Sequence, residues 1–134
     1  MYPVDFFYRY ARLHPGEIAI ESPSEHVSYG ELAARVDALA HAFQQFDPAP
    51  QSRVGICAYN SVDHIVALLA VLAAGKTWVP LNPRNSASEL NRILDVTTPS
   101  IVVSDNKFLE TLGLQAIPHV VVTGEGNDSL PALR

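Results

Sequence analysis

The run from Leu68 to Arg84, LLAVLAAGKTWVPLNPR, constrains this chain more than any other stretch, because it holds a helix end, a reversal and a strand in one short piece. From Val62 onward the residues are apolar on every side, which predicts a helix packed on more than one face, not a surface amphipath. Gly75 falls where a helix C-terminus needs a residue at ease with positive φ. Lys76 is placed to set its charge beside the last free carbonyls of that helix. Thr77-Trp78-Val79, β-branched and aromatic, reads as a strand. Pro80 and Pro83 close it by withholding ladder donors.

The remainder repeats this alternation. Tyr2 to His14 has helical spacing and stops before Pro15, with Tyr2, Phe6, Phe7 and Tyr10 forming an aromatic stripe expected to pack on the core. Ile18-Ala19-Ile20 and His26-Val27-Ser28 predict a small hairpin across Ser22-Pro23-Ser24. Ser28 and Glu31 have capping-box spacing, so a helix begins at Tyr29, with the Glu reaching back. Its apolar positions are Leu32, Val36, Leu39, Phe43 and Phe46, and it ends near Asp47-Pro48. Arg53 to Ala58 reads as a buried strand, and Asn60 or Ser61 caps the helix from Val62 to Ala74.

After the Thr77 to Leu81 strand, Ser86 and Glu89 open another helix, which Thr98-Pro99 ends. Ile101-Val102-Val103 is a strand, and a short helix with Phe108, Leu109 and Leu112 runs from Asp105-Asn106 to Gly113. Val120-Val121-Val122 is the last strand; Gly124 to Asp128 reads as a polar turn, and Ser129 to Arg134 as the start of a helical turn. The predicted fold is α/β: a mostly parallel sheet in three layers with helices on both faces, plus a small N-terminal β-hairpin.

Composition removes several classes of function. With 134 residues, 48% of them hydrophobic, one ordinary domain with a real core is expected. A net charge of -5 argues against a nucleic-acid partner, whose footprint is basic and clustered. No apolar run approaches the ~20 residues that span a bilayer. Met1-Tyr2-Pro3-Val4-Asp5 lacks the basic start of a signal peptide, and Cys57, the sole cysteine, forms no internal disulfide. A soluble, cytoplasmic setting is the expectation.

Leu72-Ala73-Ala74-Gly75-Lys76-Thr77-Trp78-Val79-Pro80-Leu81-Asn82-Pro83 closely resembles the Ala-Gly-x-x-x-Val-Pro-Leu-Asn/Asp-Pro motif of adenylate-forming enzymes. These are the acyl-CoA synthetases, nonribosomal peptide adenylation domains and luciferase-type ligases. Val27-Ser28-Tyr29-Gly30-Glu31-Leu32 is similar to their earlier Leu-Thr/Ser-Tyr-x-Glu-Leu motif, with the Arg53-Val54-Gly55-Ile56 strand and the Asn60-Ser61 turn in between. The resemblance covers nearly the whole chain but only the first part of such an enzyme, so residues 1–134 are expected to be one N-terminal subdomain. It implies a parent ligase of fatty acid metabolism that uses ATP, Mg2+ and coenzyme A.

The chemistry of that parent is expected to lie elsewhere. The family's Ser/Thr-Gly-Thr-Thr-Gly-x-Pro-Lys loop, which cradles the triphosphate, has no match here, and no Gly-x-x-x-x-Gly-Lys-Ser/Thr loop exists either. The nucleotide-binding aspartate and the C-terminal catalytic lysine of the resembled family have no match either. No catalytic, cofactor-binding or metal residue is therefore assigned, and no cofactor is expected to bind this segment itself.

Gly124-Glu125-Gly126 only begins a dinucleotide fingerprint, since position 129 is Ser. Asp63 and His64 are adjacent, so they are expected on different helix faces. His14, His26, His41, His64 and His119 have no metal-ligand spacing with one another or with Cys57, and each reads as a surface or satisfied core residue. Cys57 reads as a small buried hydrophobe, and Lys76 as serving a helix end in preference to a substrate phosphate.

The resemblance thus implies the N-terminal subdomain of an acid–CoA ligase, itself non-catalytic, supplying a scaffold wall and one side of the acyl or coenzyme A path. Asn82 leans toward acyl-CoA synthetases, since peptide adenylation domains more often carry Asp there. The alternative is a stand-alone, non-catalytic binding module of the same fold. Expected partners are the remainder of the parent enzyme, or a second copy through exposed apolar surface.

Overall fold

Strand β3 (Arg53–Cys57) lies inside the main sheet, and burial from Val54 to Cys57 explains why the strand is apolar after Arg53. The computed structural model describes residues 2–123 and the backbone of 132–133. Around β3 the chain lays α1 (Pro3–Leu13), β1 (Ile18–Glu21), β2 (His26–Ser28), α2 (Tyr29–Phe46), α3 (Val62–Ala73) and β4 (Thr77–Pro80). It continues with α4 (Ala87–Thr97), β5 (Ile101–Asp105), β6 (His119–Thr123) and β7 (Ala132–Leu133).

The main sheet has the order β4-β3-β5-β6-β7, parallel except for β7, and β1 pairs with β2 as the separate antiparallel hairpin. From β3 the chain passes first to β4 on one side and then back across to β5 on the other. The predicted three-layer α/β fold with its hairpin is therefore the observed one.

Each face of the sheet has its own core. On one, Val54, Ile56, Ile101, Val103 and Val121 meet Leu32, Val36, Leu39 and Phe43 of α2 and Val66, Ala67, Ala70 and Val71 of α3. On the other, Cys57, Val79 and Val102 meet Leu90 and Leu94 of α4, with Leu81 and Leu112 closing the edges. Gly55 faces this second core because space is short: a Cβ there would stand 2.9 Å from the Leu81 Cδ1 methyl. Full burial of each such Val, Leu or Phe contributes roughly 1.5–3 kcal/mol before entropy is counted.

The C-terminus of α3 closes as a Schellman motif. Gly75 has φ +71°, its N–H donates to Leu72 O at 3.2 Å, and the Lys76 N–H donates to Val71 O at 2.9 Å. Ser61, of the two candidate caps, accepts from the His64 amide at 3.2 Å. The capping box of α4 is complete: Ser86 Oγ accepts from Glu89 N at 3.1 Å, and Glu89 Oε1 accepts from Ser86 N at 3.2 Å.

Several sequence expectations need correction. Ser28 caps α2, but Glu31 does not reach back; its carboxylate lies 3.6 Å from Arg35 on the next turn. The aromatic stripe of α1 divides, because it spans more arc than the core can cover. Phe7 packs on the core, while Tyr2, Phe6 and Tyr10 are exposed. The segment after β5 forms just a 3-10 turn over Asn106–Phe108, since burial of Leu112 and the Gly113 break leave no room for a helix. Ala132–Leu133 is a strand pairing with β6, where a helical turn was expected. The expected turn from Gly124 to Asp128 lies outside the described residues.

Lys76 also departs from expectation in an informative way. It is 7% exposed, and its Nζ donates to the carbonyls of Asp47 and of Ala49, the latter at 2.6 Å. It therefore ties down the end of α2 and the α2–β3 loop, not the end of its own helix.

Candidate functional site

In a doubly wound sheet the strand carboxyl ends open where the chain reverses its winding, and there ligands bind. Here the reversal lies between β3 and β5, the former flanked by β4. A cleft of about 350 Å³ stands at the carboxyl ends of β3 and β4. Its working side chains are Tyr59, Asn60, His64, Trp78, Asn82 and Arg84.

Local chemistry positions each one. Pro80 and Pro83 stop the sheet and turn the chain across the mouth of the cleft. Asn82 shapes that loop: its Oδ1 accepts from the Arg84 N–H at 2.9 Å, and its own carbonyl accepts from Asn85 N at 2.9 Å. His64 sits in the first turn of α3, with Nδ1 3.0 Å from the Ala58 carbonyl oxygen. A carbonyl only accepts, so Nδ1 carries the proton of this contact. Tyr59 meets Phe108 edge-on at 5.2 Å, and Lys107 Nζ lies 5.6 Å from the Tyr59 ring centroid.

The electrostatic character of this cleft runs against that of the chain. The sequence has 14 acidic residues against 9 Lys and Arg, yet neither Asp nor Glu lines the cleft, while Arg84 does. Such a lining suits an anionic ligand with an aromatic or apolar portion.

The residues weighed from sequence are dispersed. Cys57 lies buried in the second core, where burial and then the Asp105 charge push its thiol up to about 11, away from nucleophilic chemistry. His119 stacks on Phe46 at 4.5 Å at the amino end of β6, and His14 stands 3.7 Å from Glu17 beyond α1. Lys76 is held by α2. Gly124-Glu125-Gly126 lies outside the described residues.

His64 alone among the five histidines lines the cleft, a position its isolated spacing did not suggest. Tyr59, Asn60 and Arg84 were also not marked as site residues. Their signal was available: they follow the ends of β3 and β4, where this class of sheet presents its ligands.

An open α/β sheet with a cleft at its carboxyl edge places the fold in the doubly wound class, in which ligands bind at that edge. More narrowly, the chain belongs to the AMP-binding enzyme family, whose profile matches residues 7–132. It is 37% identical over 108 residues to Malpinin synthetase of Mortierella alpina, covering 81% of this chain and 1% of that protein. It is 34% identical over 101 residues to Indoleacetate–CoA ligase of Aromatoleum aromaticum, covering 75% of this chain and 20% of that protein. Its fold superposes with a TM-score of 0.86 at 17% identity on the anthranilate CoA ligase AuaEII, solved with anthranoyl-AMP, over 92% of this chain and 25% of that one. The chain thus spans a fifth or less of the length of these two curated relatives.

Proposed function

We propose that this chain is the N-terminal subdomain of an enzyme that activates a carboxylic acid with ATP and passes the acyl group to coenzyme A. In the first step the carboxylate and ATP give acyl-adenylate and pyrophosphate. In the second the coenzyme A thiol takes the acyl group and AMP leaves. The observation that carries this reading is where the family motif sits: Pro80-Leu81-Asn82-Pro83-Arg84 forms one wall of the cleft. Similarity to Indoleacetate–CoA ligase, together with Asn82, favours coenzyme A as acceptor.

The segment's own residues do not fit a triphosphate or its Mg2+. The sequence has no Gly/Ser/Thr-rich lysine loop, and no group of three His, Cys, Asp or Glu among the described residues is arranged to hold a metal. The adenylation step is therefore not assigned to this segment, whose part is to scaffold and to wall the acceptor path. No helix among the described residues is long and apolar enough to cross a membrane, and a cytoplasmic location is part of the proposal.

Similarity to Malpinin synthetase supports a second reading, a peptide-synthetase adenylation domain whose acceptor is a carrier-protein thiol. The test has two parts. The reading frame is followed past Arg134, and its full product is assayed for carboxylate-dependent exchange of pyrophosphate into ATP. Exchange followed by acyl-CoA formation is expected, and the 134-residue chain alone is expected to be silent. Exchange with transfer only to a carrier protein would favour the second reading. A stop codon directly after Arg134, with no exchange, would favour the stand-alone binding module.

A further inference from the structure

Helix α1 has two apolar faces, and the fold uses one of them. Val4 and Ala11 are buried, and Phe7 and Tyr8 pack against the first core. At about 100° per residue, Tyr2, Phe6, Arg9 and Leu13 fall on the opposite side. Tyr2 is 76%, Phe6 61% and Leu13 65% exposed. Apolar side chains scattered singly over a surface are ordinary, but three in one stripe mark a contact.

Charge narrows what that contact meets. Arg9, within the stripe, and Arg12, on its flank, form no ion pair among the described residues. The carboxylate of Asp5, the one acid of this helix, accepts from the Tyr2 amide at 2.9 Å. Other cations of the chain are engaged: Arg35 meets Glu25 and Glu31, and Lys76 is buried on backbone carbonyls. Exposed apolar side chains with unpaired guanidinium groups beside them suit a surface that is anionic at its face and apolar beneath. The rings of Tyr2 and Phe6 suit the boundary between headgroups and acyl chains.

We propose that α1 docks this chain on an anionic lipid surface, with Tyr2, Phe6 and Leu13 entering the headgroup boundary and Arg9 and Arg12 meeting lipid phosphates. The helix lies along the surface, since its 11 residues fall far short of the ~20 that span a bilayer. The chain as a whole carries -5, so the attraction is local to α1 and sets which side of the molecule faces lipid. No residue of the cleft takes part, so the inference stands apart from the acid-activation reading.

The test is co-sedimentation of the 134-residue chain with vesicles, one set of phosphatidylcholine and one of equal parts phosphatidylcholine and phosphatidylglycerol. Tighter binding to the anionic set is expected, weakening as salt is added. Phe6→Gln and Leu13→Gln are each expected to weaken binding about tenfold, the scale of one apolar side chain kept from leaving water. Arg9→Gln combined with Arg12→Gln is expected to abolish the preference for anionic vesicles. All four positions are exposed, so circular dichroism is expected to match wild type. Val96→Gln, at a 73% exposed site on α4, is expected to bind as wild type does. The proposal is overturned by no co-sedimentation at millimolar anionic lipid, or by wild-type binding in both Phe6→Gln and Leu13→Gln. A loss in Val96→Gln as large as theirs also overturns it, because it marks adsorption without a site. A doubled mass without lipid that Phe6→Gln abolishes would assign the stripe to a second copy and overturn the lipid surface.

Discussion

Gly75 and Lys76 are neighbours with opposite physical demands. Gly75 has φ +71° and open space around a built Cβ, so a side chain there meets no clash but does meet backbone strain. Gly75→Val is expected to cost about 1–3 kcal/mol, the scale of a forced backbone conformer. An unchanged urea midpoint would contradict the left-handed cap. Lys76→Met removes the donors that hold the Asp47 and Ala49 carbonyls. It should cost about 1–3 kcal/mol, the price of leaving buried polar groups unmatched, and should speed amide exchange in the α2–β3 loop while sparing α4. The glycine was legible because positive φ has a chemical signature in sequence. The lysine was not, because its partners lie 27 and 29 residues earlier and no local pattern announces them.

At the scale of elements, sequence reads well where a helix or strand is stabilised locally. Ser86 and Glu89 satisfy each other within one turn, so the start of α4 was visible in four letters. Ser28 and Glu31 have the same spacing, yet Arg35 stands one turn on and draws the Glu31 carboxylate away. A competing cation, not the spacing, decided that outcome. The α4 box has a consequence in acid. The Ser86 amide and hydroxyl hold the Glu89 carboxyl below its ordinary value of 4.5. A carboxyl depressed by folding contributes stability above its unfolded value and loses it as pH falls through the folded one. Glu89→Gln keeps an acceptor for the Ser86 amide but has no charge to lose. Its urea midpoint should therefore decline less steeply than wild type below pH 4.5, and parallel acid limbs would count against the box as a source of acid sensitivity.

At the scale of the molecule, parallel strands buried on both faces announced the layers, but the cleft emerges only when β3, β4 and the first turn of α3 are brought together. The same assembly leaves one flank bare. Ile65, Leu68 and Leu72 recur at i, i+3 and i+7 along α3, and Ile65 is 40% and Leu72 44% exposed. Trp78 pairs in register with Val54, so it lies on the α3 side of edge strand β4, and it is 42% exposed. Thr77 N donates inward to Ser52 and Leu81 N inward to Ile56, which turns Trp78 and Pro80 outward. Pro80 has no N–H, so the edge is poorly equipped to extend the sheet. A contact here must use side chains. We propose that a second copy covers this flank, setting one α3 stripe against the other about a two-fold axis, because an uncharged stripe of this spacing is complementary to itself. Sedimentation equilibrium over a concentration series should show a dimer whose dissociation is driven by Ile65→Lys and by Leu72→Glu, each leaving the circular dichroism of the chain intact. Exposed positions make that control reasonable, since neither side chain belongs to either core. A single monomer mass up to high micromolar concentration would sink the contact and leave α3 as an apolar flank with no copy of this chain upon it.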